Sequence, residues 1–147
     1  MSVRIYTIEE ANRRLPEVEC SLRVMQSAHE QIREVQDRIA VLEMIGATRP
    51  SSPEHEELQT IVAGLTEYRR VLQREGERLA AAQVILRDVA TGLVDFPASH
   101  QGRLVYLCWR VGEPSIQYWH ETFAGAAGRR PVSELDRKDV SSDGRSE

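Results

Sequence analysis

The chain has little of what many functional sites are built from. Only two cysteines occur, Cys20 and Cys108, far apart in the sequence. They form neither a zinc-finger spacing nor a disulfide framework, and a reducing compartment suits them best. No apolar run approaches the roughly 20 residues of a membrane span. The opening residues, MSVRIYTIEE, have no apolar core of a signal peptide. No basic block stands out and the net charge is −4, which disfavours non-specific nucleic-acid binding. These absences lead us to expect a cytoplasmic protein that engages neither membrane nor nucleic acid.

What is present is 147 residues, enough for one domain with a modest core. Thr7 and Glu10 have the spacing of a capping box, which opens a helix. Apolar residues follow from Ile8 to Leu42 at alternating steps of three and four, a narrow helical stripe. Pro16 falls inside this stripe and is expected to kink the helix or split off its first turns. Gly46 ends the helix. Ser52 then caps a second one, with Pro53 at its first position. Its stripe, Leu58, Ile61, Leu65, Tyr68, Leu72, Glu75 and Leu79, is coiled-coil-like. Two helices of similar length joined by a short loop predict an antiparallel hairpin.

Beyond about residue 83 the period becomes alternating, and Gly92, Gly102 and Gly112 mark turns. We therefore expect an α+β fold: a long antiparallel helical hairpin, residues 8–83, followed by a small antiparallel β-meander, 84–121. A glycine-rich loop at 124–131 completes a single domain over 1–132, and the polar tail, 133–147, is expected to be disordered.

The segment GEPSIQYWHE poses the functional question. A tight turn at Gly112–Ser115 pairs Val111 with Ile116, Trp109 with Tyr118 and Leu107 with His120, and we pair Phe96 with Val105 across the preceding turn. This register puts His120 on the apolar face, with Val94, Phe96 and Trp109. It puts Asp95, Tyr106, Cys108, Trp119 and Glu121 on the other. A one-residue slip would invert the assignment.

Three functions follow. An interaction module uses the hairpin stripes for self-association, as a homodimer, with Trp119 beside Tyr106 and Arg129 as a binding patch. A metal-binding protein uses His120 with carboxylates from Glu10, Glu113, Asp95 or Glu121, a donor set suited to Mn, Fe or Zn. In a regular hairpin roughly 13 Å of strand rise keeps Glu113 from His120. Glu10 is the better placed carboxylate, although the capping box already employs it. An enzyme acting on a small anion would use Arg110, Arg129 or Arg130 as holders. The expected register sets Cys108 and His120 on opposite faces and leaves no nucleophile–base pair.

Three stretches together, YTIEEANRRLPEV at 6–18, TGLVDFPA at 91–98 and LCWRVGEPSIQYWHETFAGAAGRRP at 107–131, resemble the uncharacterised prokaryotic family known as domain of unknown function 2203. The family pattern GFAGRxP reads GAAGRRP here, so the loop's aromatic is absent or displaced to Phe123. The resemblance implies that Glu10, Asn12, Asp95, Glu113, Trp119, His120 and Arg129 are family motif positions. It implies no activity.

Overall fold

The structure, a computed structural model, describes residues 3–46 and 49–135. Helix α1 (Ile8–Met44) opens as expected: the Thr7 hydroxyl accepts from the Glu10 amide and the Glu10 carboxylate from the Thr7 amide, each at 3.0 Å. Pro16 lies inside the helix without splitting it. Its neighbours Leu15 and Val18 are buried in the core and hold this turn in place. Helix α2 (Pro53–Ala81) is capped by Ser52 with proline at its start. The bonds Ser21 to Glu75, Gln31 to Tyr68 and Arg38 to Glu57 advance along one helix as they retreat along the other, so the pair is antiparallel. Ser21 donates to the buried Glu75 at 2.9 Å, which answers the single charged residue in the second stripe. No helix among the described residues is long and apolar enough to cross a membrane.

Five strands follow in sequence order and all pair antiparallel: β1 (Ile85–Asp88), β2 (Leu93–His100), β3 (Arg103–Arg110), β4 (Tyr118–Glu121) and β5 (Arg130–Pro131). The fifth lies within the expected glycine-rich loop. The segment VRIY forms no strand, although the Tyr6 amide donates to the Pro97 carbonyl at 2.7 Å. Val132–Glu134 form a 3-10 turn and Leu135 is buried in the core. The remainder of the polar tail, from 136, lies outside the described residues.

The β2–β3 faces are those expected. Val94, Phe96, Val105, Leu107 and Trp109 pack toward Leu15, Val18, Leu22 and Met25 of α1. Their pairing differs by two residues: Phe96 meets Leu107, not Val105, because β2 runs on to His100 and the turn shrinks to Gln101 and Gly102, both with positive φ. A two-residue shift leaves each side chain on its face. Gly92 is required at its turn, since its φ is +69° and a Cβ there would lie 2.4 Å from the Val111 side chain.

The β3–β4 register requires a larger correction. Leu107 pairs with Trp119 and Tyr106 with His120, one residue away from expectation. No tight turn forms at Gly112–Ser115. Instead the Ile116 amide donates to the Asn12 side chain at 2.7 Å, and the Trp109 indole N–H donates to the Glu113 carbonyl at 2.9 Å. These bonds draw 111–117 into a wide loop seated on α1, and strand pairing resumes one residue out of step. Every β4 side chain changes face. Trp119, expected in an exposed patch, is 2 % exposed and part of the core.

Candidate functional site

His120 now faces away from the helices, on the same side as Asp95 and Cys108. The three lie on adjacent strands: Asp95 pairs with Cys108, and His120 pairs with Tyr106 beside it. All three are buried, Cys108 completely. One ligand atom from each lies within 4.8 Å of the others, the only such group of three or more found among the described residues. His120 Nε2 is 2.9 Å from Asp95 Oδ2, and His120 Nδ1 is 2.8 Å from its neighbour's carbonyl, that of Glu121. A carbonyl only accepts, so Nδ1 carries a proton and donates it. Nε2 and the carboxylate then face each other with a proton or a cation required between them.

Arg87 completes the group. Its Nε donates to Asp95 Oδ2 at 2.7 Å and its guanidinium lies 5.1 Å from the centre of the Tyr106 ring. The bond to Asp95 raises the Arg87 pKa above its ordinary value. Register shifts between Leu86 and Asp88, so Arg87 is the extra residue of a β-bulge, a device that re-aims a side chain. Asp95 Oδ1 is buried and has no hydrogen-bond partner among the described residues. Burial, then the nearby Asp95 charge, push the Cys108 thiol up to about 12. Unless a metal displaces its proton it stays protonated at neutral pH and is no ready nucleophile, although it shares a face with His120, contrary to expectation. A cleft of about 380 Å³ opens onto Asp95 and His120, bordered by Arg87, Leu93 and the segment Thr122–Ala126.

The other carboxylates expected from sequence stand apart from this group. Glu10 is engaged in the capping box. Glu113 accepts from the Arg110 amide at 2.9 Å and from Arg129 at 2.7 Å. Glu121 pairs with Arg103 at 2.6 Å, and that bond lowers its pKa below the ordinary carboxylate value. Arg129 lies 4.1 Å from the centre of the Tyr118 ring, and Arg130 pairs with Glu134. Of the expected patch, Tyr106 and Arg129 border the site: the Tyr106 ring is 5.5 Å from that of His120, and Arg129 Nη2 donates to the Cys108 carbonyl at 3.4 Å. Sequence reasoning missed Arg87, whose role depends on the bulge, and set Cys108 aside on the wrong register.

The fold and this buried acid–thiol–imidazole group define the class: an α+β protein with a helical hairpin laid on one face of an antiparallel sheet and a polar cluster on the other. Residues 4–132 match the family described as uncharacterized conserved protein, DUF2203, and the chain belongs to it. No curated protein and no solved structure matches the chain significantly.

Proposed function

We propose that this protein binds a divalent cation through Asp95, Cys108 and His120, zinc or iron(II) ahead of manganese. The convergence of three buried donor side chains carries the reading. A thiol beside an imidazole and a carboxylate makes the donor set softer than the all-carboxylate partners expected from sequence, and manganese fits it less well. With metal–ligand bonds of about 2.1 Å, the observed 2.9 Å between Nε2 and Oδ2 subtends about 90° at a shared ion, and a tetrahedral site needs about 3.4 Å. A small rotation of Asp95 supplies the difference. The Nδ1 bond to a carbonyl is the support that ligating histidines usually have.

Elemental analysis of untagged protein loaded with zinc tests the reading. About one ion per chain is expected, with affinity falling by an order of magnitude or more in His120→Ala and Asp95→Asn that remain folded by circular dichroism. Failure of folded wild-type protein to take up zinc or iron(II) at micromolar concentration would refute it.

A second reading, self-association as a homodimer, draws support from the far half of the hairpin. Beyond Ala28, Leu42 is the only buried residue of α1. Ile32, Val35, Ile39, Leu58 and Ile61 are half-buried, and Val41, Met44 and Val62 are exposed. A second copy laid on this stripe would make a four-helix bundle. Sedimentation equilibrium decides: a strict monomer to millimolar concentration removes this reading. The two unpaired cysteines support a reducing, cytoplasmic setting.

A further inference from the structure

Three protein donors leave at least one position on a bound zinc or iron ion, and the cleft beside Asp95 and His120 leads to it. The charge around that position is positive. A divalent ion and Arg87 outweigh Asp95 even when Cys108 ligates as a thiolate. Arg87 is fixed through Nε to Asp95, yet its side chain is 42 % exposed, so part of the guanidinium lies at the cleft mouth. The rest of the wall is short or apolar: Leu93, Ala124, Ala126 and Phe123, whose ring is 86 % exposed. An exposed phenylalanine on a cleft rim has no packing role among the described residues.

We propose that the site binds a small organic carboxylate, its oxygens shared between the metal and Arg87 and its carbon chain against Phe123. This rests on the metal-binding reading above. A carboxylate matches the guanidinium geometrically, and the Phe123 side of the cleft gives an alkyl chain a surface that bare phosphate would not use.

The test uses full-length protein loaded anaerobically with cobalt(II), whose d–d absorption reports on its ligands. A thiolate-to-cobalt charge-transfer band would confirm Cys108 as one of them. Acetate, butyrate and inorganic phosphate are then titrated separately. Acetate and butyrate should change the d–d bands saturably, butyrate binding several-fold more tightly, since each methylene removed from water is worth about threefold to fourfold at full burial. Arg87→Gln also loses the bond to Asp95, so it is titrated at a cobalt concentration that saturates its weakened site, and there it should bind both acids about tenfold more weakly. Phe123→Ala, at an exposed position, should keep acetate binding and abolish the preference for butyrate. Normal cobalt uptake with bands unmoved by either acid overturns this proposal and leaves the metal site standing. Phosphate binding as tight as butyrate, with no effect of chain length, also overturns the carboxylate assignment. Failure to take up cobalt overturns both readings.

Discussion

Replacing Trp119 with alanine tests the β4 register, on which the whole candidate site depends. The indole is 2 % exposed and stands opposite Leu107 on the helix-facing side. Truncating a buried tryptophan removes its transfer energy and leaves a cavity, a loss of about 3–5 kcal/mol. A domain of this size has on the order of 5–15 kcal/mol in total. With a urea dependence of about 2 kcal/mol per molar, the unfolding midpoint should fall by about 2 M. Tyr118 supplies the contrast. It is half-buried, with Arg129 over its ring at 4.1 Å, so Tyr118→Ala should cost only about 1–2 kcal/mol, including about 0.5–1 for the lost cation–π contact. Trp119→Phe should be milder than Trp119→Ala, because the phenyl ring refills much of the cavity, and like alanine it removes the indole N–H, a buried donor without a partner among the described residues. Urea titrations followed by far-ultraviolet circular dichroism measure all three without relying on tryptophan fluorescence. A loss below about 1 kcal/mol for Trp119→Ala, with a larger one for Tyr118→Ala, would refute the register. His120 would then return to the helix side, out of reach of Asp95.

Other consequences can be checked with simple variants. Thr7→Ala removes the cap of α1 and should cost about 1 kcal/mol in urea unfolding, whereas Glu10→Gln should leave zinc uptake at the wild-type level; a drop in stoichiometry would return Glu10 to the ligand set. Metal-free native protein at neutral pH should show one thiol reactive toward an aromatic disulfide reagent, the exposed Cys20, and two after denaturation; rapid labelling of Cys108 would contradict its burial and its pKa of about 12. The hydrogen bond from Arg38 holds the Glu57 pKa below its ordinary value. Its stabilising contribution is therefore present above the unfolded carboxylate value, about 4.3, and is lost as pH falls through the lower folded value. The Tm gap between wild type and Glu57→Gln should accordingly narrow toward acid pH, and a gap that widens there would reverse the assigned sign.

Sequence legibility followed the range of the interaction that decides each feature. Both helix starts were readable because a cap is settled within a few residues, Thr7 with Glu10 and Ser52 with Pro53. The faces of β2 and β3 were readable despite a wrong turn, since a shift of two preserves alternation. The Gln101–Gly102 turn carries a glutamine with φ of 54° where asparagine or aspartate is the usual sign, so its tightness gave little warning. The β4 register was not readable at all. It is settled by Asn12 and Ile116, which are 104 positions apart, and nothing local to GEPSIQYWHE records that bond.

That distant bond fixes the environment of several residues together. Parity is a single binary variable for a whole strand. With β4 one residue off, His120 loses Asp95 and Cys108 as neighbours, Trp119 becomes a surface residue, and Glu10 is the better placed carboxylate. In the observed register His120 and Trp119 change places, and the aromatic of the pair goes to the core while the imidazole meets a buried acid. Burial energetics favour this arrangement. The alternative sets a polar imidazole against Leu107 and gives up its bond to the buried Asp95, a cost of about 1–3 kcal/mol, and exposes an indole whose burial is worth at least as much. Asn12 adds a direct bond to the same outcome. The helix that caps itself with Glu10 thus places His120 through Asn12, two residues further along, and its contribution to the candidate site is the register rather than a ligand.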